Sequence, residues 1–183
     1  MHMRWIAILT VSLLFLLSFN TAVNACEAQA FINNAGNAMM GAARVGSPKA
    51  FSGVASRYTD LNSIALFALG PNRAAMNKAQ QAEYIVLTRG FIGRFMARHA
   101  GKFSGNGLKI TGCVGSKNNL TVNTQLSTGK KIIFRLYKTK RGYLVRDVNV
   151  SSVWLAQQLR STFVGVIRRN NGDIAALFKY LRT

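Results

Sequence analysis

The chain has 183 residues, of which 49% are hydrophobic and 16% charged, and its formal net charge is +19. This length suits one domain with a sizeable core, and the lack of a repeated period or low-complexity tract excludes a repeat architecture. The basic excess indicates either a solvated surface or attraction to a polyanion: nucleic acid, anionic lipid head groups or an acidic protein surface.

The first 25 residues are typical of a secretory signal peptide. Arg4 precedes a nearly unbroken apolar run over residues 5–17, and residues 23–25 (Val-Asn-Ala) form a small-residue cleavage pattern. The run is shorter than the roughly 20 residues that span a bilayer, so a retained anchor is the weaker alternative. We predict that residues 26–183 are exported to a bacterial periplasm. Because Arg4 is lost with the leader, their net charge is +18.

Two cysteines, Cys26 and Cys113, are the only ones in the chain. An oxidising compartment permits a disulfide between them, and closing a loop of about 88 residues would stabilise the fold by roughly 4–5 kcal/mol. Cys26 directly follows the predicted cleavage site, so lipid attachment to this residue is an alternative, as are two free thiols.

The first half of the exported chain has helical spacing. Helices are predicted over residues 28–44 and 49–58, and a third is predicted to begin at an Asp60 cap and to end before Gly70. A long helix follows over about residues 78–100. Its wide apolar face is built from side chains at three- and four-residue steps, namely Tyr84, Leu87, Phe91 and Phe95.

From residue 107 the hydrophobic period changes to two, which predicts four antiparallel strands. The turns between them are predicted at residues 116–119, 127–129 and 138–142. Ser151 or Ser152 is then expected to cap a helix, and Asp173 to cap the last one. The order of helices, strands and helices indicates an α+β fold in one domain, residues 26–183.

The C-terminal part of the chain resembles the signature of the MlaC family, also called toluene-tolerance auxiliary proteins. Residues 143–155 read Tyr-Leu-Val-Arg-Asp-Val-Asn-Val-Ser-Ser-Val-Trp-Leu, which is similar to the family's D-V-x-V strand and serine-bearing helix start. Arg160 and Phe163 form an Arg-x-x-Phe step, and residues 171–174 form a glycine turn into a terminal helix.

A second region of resemblance is the segment 60–70, which looks like the family's helix from an aspartate to a leucine-glycine pair. Asp60, Leu61 and Ile64 stand at its start and middle, and Leu69-Gly70 at its end. The chain departs from the family in two places. Where the family commonly has glycine this chain has Ser152, and where it commonly has serine this chain has Trp154.

Membership of this family implies a carrier of phospholipid and not an enzyme. The resemblance predicts helices wrapped around the four-stranded antiparallel sheet, with an apolar cavity that holds acyl chains and leaves the head group near solvent. Such a carrier is expected to be a monomer that exchanges lipid with an outer-membrane lipoprotein complex and an inner-membrane ABC transporter complex. Because burying hydrocarbon yields about 0.8 kcal/mol per methylene, the cavity needs no specific polar contacts.

The residues expected to line this cavity occupy inward faces of the elements that the family uses. They are Leu61, Ile64, Ala65, Ala68, Phe91, Phe95, Val122, Phe134, Leu136, Val148, Val150, Leu155 and Phe163. Each of them also fits an ordinary hydrophobic core, and a cavity would separate the two interpretations.

Catalysis and metal binding have little support in the sequence. His99 is the only histidine after the leader, and Ser104 and Asp147 would complete a triad with it only on paper, since no nucleophile-elbow motif surrounds the serine. One histidine and two distant cysteines lack the spacing of a zinc site. We therefore expect neither an enzyme nor a bound metal or cofactor.

Two alternatives to the phospholipid carrier remain. A secreted protein that binds a polyanion or a membrane surface would use Lys130, Lys131, Arg135 and the turn 138–141, and salt would weaken its binding steeply. Export argues against nucleic acid as the partner. The other alternative is a relative that binds hopanoids, because the sequence does not distinguish these lipids.

Overall fold

A computed structural model describes residues 26–103 and 107–183. The predicted signal peptide and Ser104 lie outside the described residues. In the described part, the α-helices are α1 (Gln29–Val45), α2 (Pro48–Tyr58), α3 (Leu61–Ala68), α4 (Lys78–Arg98), α5 (Leu155–Arg169) and α6 (Ile174–Arg182). Short 3₁₀ helices lie at Gly70–Ala75 and Ala100–Phe103. The predicted helices are all present, with ends that differ by at most three residues.

Side-chain caps explain where several helices begin. Asp60 accepts a hydrogen bond from the Ser63 amide, 3.2 Å away, and Asp173 accepts one from the Ala175 amide at 2.8 Å, which confirms both predicted caps. Asn77 starts α4 by a reciprocal pair of hydrogen bonds with Gln80, each 2.9 Å long.

The sheet is an antiparallel meander in the order β1-β2-β3-β4-β5. Its strands are β1 (Leu108–Ser116), β2 (Asn119–Leu126), β3 (Lys131–Thr139), β4 (Gly142–Val150) and β5 (Val153–Trp154). The four predicted strands are present, and β5 is an addition of two residues. Its hairpin with β4 turns at Ser151 and Ser152, whose φ angles of 51° and 68° are those of a tight turn that matches strand twist.

The prediction that Ser151 or Ser152 caps α5 is wrong, because both residues are used in the β4–β5 turn. The cap comes instead from β4, which is distant from the helix start in sequence. The Asp147 carboxylate accepts hydrogen bonds from the Ala156 amide in the first turn of α5, at 3.0 Å, and from the Val148 amide at 2.8 Å. A single carboxylate therefore joins the sheet to α5.

The buried apolar residues form two separate groups. The helical cluster lies among α3, α4, α5 and α6 and contains Ala65, Ala68, Leu69, Met76, Tyr84, Phe91, Phe163, Val166, Ile167, Leu177, Phe178 and Leu181. The sheet cluster lies between α1 and one face of the sheet and contains Ala28, Ile32, Leu120, Val122, Leu136 and Val145. The two clusters share no residue.

A disulfide between Cys26 and Cys113 ties the start of α1 to β1, with their Cα atoms 5.6 Å apart. Because the Cys26 sulfur is bonded to Cys113, it carries no attached lipid in this structure. Across residues 26–103 and 107–183, each helix is too short or too polar to traverse a bilayer.

Candidate lipid-binding site

One face of the sheet carries the predicted lining residues of β2, β3 and β4. Val122, Phe134 and Val148 lie directly opposite one another on β2, β3 and β4 and form one row across the sheet. Leu136 belongs to a neighbouring row with Leu120 and Val145, and Val150 to another with Ile132. Because side chains opposite each other point to the same side, these residues share the face that α1 covers. We call it the inner sheet face.

The inner sheet face is not covered evenly. Val122 is fully buried and Leu136 is 3% exposed, within the sheet cluster beneath α1. Phe134, Val148 and Val150, by contrast, are only half-buried. Phe134 and Val148 pack against the sheet cluster, but none of the three side chains is fully covered.

The predicted residues of the helices are more tightly packed. Leu61 is 5% exposed, while Ala65, Ala68 and Phe163 are fully buried. The Phe163 ring meets that of Phe91 edge to face, with centroids 5.8 Å apart. Ile64 is half-buried. The structure therefore places half of the helical members of the predicted set in the helical cluster, namely Ala65, Ala68, Phe91 and Phe163.

Two predicted residues lie at the surface. Phe95 is 49% exposed and stacks on Phe91 at a centroid distance of 6.5 Å, while Leu155, at the start of α5, is 43% exposed. Helical spacing placed both on inward faces, but each lies close to an end of its helix, where neighbouring elements no longer cover it. Their contact with lipid stays a prediction.

A pocket of about 490 Å³ lies between the end of α3 and the middle of α5. It is lined by Ser63, Leu66, Phe67, Gly70, Arg73 and Arg160. None of these residues was predicted to bind a ligand. Arg160 and Gly70 belong to the family-like motifs, but they are 90 positions apart in the sequence. The motifs therefore did not predict that α5 lies against the end of α3. We call this site the basic pocket.

A polar network fixes the start of α3 against the sheet. Tyr137 donates a hydrogen bond of 2.6 Å to the Asp60 carboxylate, and the Arg146 guanidinium lies 4.7 Å from the Tyr137 ring centroid. Burial by itself raises the pKa of Asp60. Hydrogen bonds from Ser63 and Tyr137 and the positive charge of Arg146 lower it by more, so the pKa lies below its usual value. The carboxylate is thus stabilised in its charged form.

The family described as MlaC protein matches residues 41–183, which is most of the chain. The chain belongs to the MlaC family. Its fold is similar to that of a phospholipid-binding protein from Ralstonia solanacearum, solved in complex with a phospholipid, with a TM-score of 0.71 and 18% sequence identity. The similarity covers 86% of this chain and 95% of that one. No curated protein matches the sequence.

In this member of the MlaC family, two of the three residues of the triad formed on paper, His99 and Asp147, have local structural contacts. The His99 Nδ1 atom lies 2.8 Å from the Phe95 carbonyl oxygen, one turn earlier in α4. The Asp147 carboxylate is engaged by the α5 cap, and Ser104 is outside the described residues. In the part of the chain that the structure describes, no three potential metal-binding side chains come together.

Proposed function

We propose that this protein is a non-enzymatic carrier that binds the acyl chains of phospholipid in the periplasm. Two findings support the proposal. The chain belongs to the MlaC family, and a protein of the same fold from Ralstonia solanacearum binds a phospholipid. The leading candidate for the acyl-chain site is the half-buried part of the inner sheet face.

The observation that carries this assignment is the incomplete burial of a largely apolar sheet face. Phe134, Val148 and Val150 lie on the same side as the fully buried Val122, yet the helices leave them only half-buried. Covering such side chains with hydrocarbon is favourable by roughly 25 cal/mol per Å² of apolar area removed from water. Acyl chains lying between the sheet cluster and the helical cluster would supply this cover.

The proposed carrier works without a cofactor or a metal and acts as a monomer. It collects and delivers lipid by docking to an outer-membrane lipoprotein complex and to an inner-membrane ABC transporter complex, which are the partners that family membership suggests. The net charge of +18 after removal of residues 1–25 favours docking to anionic membranes or acidic partner surfaces.

The proposal is tested by mass spectrometry of organic extracts from the purified protein. We expect phospholipid in near-stoichiometric amount, and its identification also separates phospholipid from hopanoid. Extracts without lipid, together with salt-sensitive binding to a polyanion, would support the alternative of a secreted polyanion-binding protein.

The site within the carrier is tested by Phe134→Asp, with Ile133→Asp as the matched control. Both residues are half-buried neighbours on β3, but Ile133 points to the opposite side of the sheet, where it lies opposite Asn149. An unpaired charge among acyl chains costs several kcal/mol, so Phe134→Asp should lose bound lipid and Ile133→Asp should keep it. Circular dichroism verifies the fold of both. A folded Phe134→Asp protein that retains its lipid contradicts this location.

A further inference from the structure

The basic pocket is distinct from the inner sheet face, because none of its lining residues lies on a strand. Its volume of about 490 Å³ falls within the range of roughly 300–1,000 Å³ for small-molecule sites. Its lining includes the apolar Leu66 and the 44% exposed Phe67 together with two arginines, Arg73 and Arg160. The pocket thus combines apolar and cationic side chains.

Arg160 is held in position by the residues around it. Its guanidinium lies 5.0 Å from the centroid of the Phe67 ring, and the side chain is half-buried. Gly70, with a φ of 57°, leaves room for it, since a Cβ there would lie 3.2 Å from the Arg160 Nε atom. Stacking and close packing therefore orient the guanidinium before any ligand arrives, which lowers the entropic cost of binding.

Arg73 approaches the pocket from the 3₁₀ helix that follows α3. Its side chain is exposed, while its backbone carbonyl accepts hydrogen bonds from the Met76 amide and the Gln81 side chain, both at 3.4 Å. The backbone is anchored, and the charged group is left available to the pocket.

Neither arginine has an acidic partner among the described residues, which include all five acids of the chain. Glu27 lies 4.0 Å from Lys138, and Glu83 pairs with Arg182 at 2.6 Å. The other three carboxylates are hydrogen-bonded at helix starts, as described above. Two positive charges in one pocket thus lack an internal counter-charge, and an anion is the ligand that would provide it.

We propose that the basic pocket binds the phosphate group of a small phosphate ester. Arginine presents five donors in a planar fork that matches phosphate oxygens, and two such forks suit a group with several oxygens. The organic part of the ester lies against Leu66 and Phe67. The same chemistry is offered by a free phosphate ester and by a phospholipid head group.

The test is calorimetric titration of the full mature chain with glycerol 3-phosphate, with inorganic phosphate and with a short-chain phosphatidylglycerol below its micelle concentration. Arg160→Gln and Arg73→Gln should each weaken binding by about tenfold or more, because a hydrogen bond to a charged group contributes roughly that much. The matched control is Arg57→Gln on α2, which removes the same charge from an arginine that also lies near a ring, 5.5 Å from the Tyr58 centroid.

The comparison of probes distinguishes the sources of the phosphate group. Binding of glycerol 3-phosphate that depends on both arginines supports the proposal with a free ester as ligand. Binding of the phosphatidylglycerol alone, weakened in both arginine variants, supports it with a lipid head group. Equal binding by the wild type and all three variants, or no binding of any probe, overturns it. Because Arg73 is exposed, the Arg73→Gln protein provides a folded variant even if Arg160→Gln unfolds.

This inference and the carrier function fail in different ways. A wild type that carries lipid while no probe binds in an arginine-dependent manner refutes the basic pocket alone. A wild type that extracts no lipid, yet binds glycerol 3-phosphate through Arg73 and Arg160, refutes the carrier alone.

Discussion

Ser152 has a backbone conformation that suits glycine better than serine. Its φ of 68° lies in the left-handed region, and the family-like motif commonly has glycine at this position. The side chain of Ser152 makes no hydrogen bond in the described part of the structure, whereas its amide donates to Asn149 at 3.1 Å. Glycine at this position would keep the hydrogen bond of the backbone amide and would remove the strain of the positive φ.

We therefore expect Ser152→Gly to raise the free energy of unfolding by about 0.5–1 kcal/mol. Ser127→Gly is the control, because Ser127 lies in the β2–β3 turn at a position whose φ is not positive, and this change should destabilise the fold by a few tenths of a kcal/mol. Urea unfolding measures both changes. If both glycine variants lose stability equally, the turn at Ser152 is not strained.

Asp60 makes the stability of the fold sensitive to pH. Because its pKa in the folded protein lies below the unfolded value of about 4, the charged carboxylate stabilises the fold above that pH. This contribution is lost as the pH falls from about 4 through the lower pKa of the folded state. It should be less than about 1 kcal/mol because the carboxylate is only half-buried and solvent screens its interactions.

The measurement is the difference in unfolding free energy between wild type and Asp60→Asn from pH 7 to pH 2. We expect this difference to shrink below about pH 4, as protonation makes the wild type resemble the variant. Tyr137→Phe keeps the ring beside Arg146 but removes a hydrogen bond to Asp60, and should move the transition to higher pH. A difference that is constant with pH would show that Asp60 is not the sensitive group.

At the level of elements, the close crossing of α2 and α4 depends on a glycine. Gly93 is buried on α4, and the Ser52 hydroxyl donates a 3.3 Å hydrogen bond across the crossing to the Arg89 carbonyl. A Cβ at Gly93 would lie 2.5 Å from the Pro48 carbonyl oxygen and would also collide with the Ser52 hydroxyl. The Ser52 hydroxyl can rotate away, but the contact with the Pro48 backbone is relieved only by moving one helix.

Gly93→Ala should therefore destabilise the protein by about 2 kcal/mol, within the usual range for overpacking. Gly53→Ala on α2 is a suitable control, because no atom lies within 4 Å of its Cβ position, and alanine there should stabilise the helix by about 0.5–1 kcal/mol. Chemical denaturation of both variants gives the comparison. A Gly93→Ala protein as stable as the wild type would mean that the two helices separate easily.

For the whole molecule, charge and apolar surface have separable roles in the proposed carrier. The turn at residues 138–141 carries Lys138, Lys140 and Arg141, and only Lys138 lies near an acid, 4.0 Å from the partly exposed Glu27. This pair is long and solvated, so the turn remains strongly positive. Long-range attraction from such a surface is screened beyond about 8–10 Å at ordinary salt.

Neutralising Lys138, Lys140 and Arg141 to glutamine should slow lipid transfer to anionic acceptor vesicles and flatten its dependence on salt, without loss of bound lipid. Transfer rates across a salt series and lipid content by mass spectrometry check the two parts. Loss of lipid in this variant would show that charge also holds the ligand. An unchanged salt dependence would show that other basic residues steer the encounter.

Much of the local structure followed from the sequence because it depends on neighbouring residues. Helical spacing located α1–α6, Asp60 and Asp173 marked helix starts, and alternation located the four long strands. The same alternation put Val122 and Phe134 on inward faces, as the strand register has it. Both faces of β4 carry apolar residues, so only its pairing with β3 decided that Val148 lies opposite Phe134. Family membership followed from local motifs too.

Other features were decided only by the tertiary structure, since they join residues far apart in the chain. The sequence placed two serines before α5 as candidate caps. In the structure β4 packs against the start of α5, so Asp147 caps the helix, and the two serines form the turn between β4 and β5. The degree of burial separates Phe134 from Val122 although both have the same alternation. The basic pocket exists because α5 packs beside α3, and periodicity along one element carries no information about which distant side chain will lie against it.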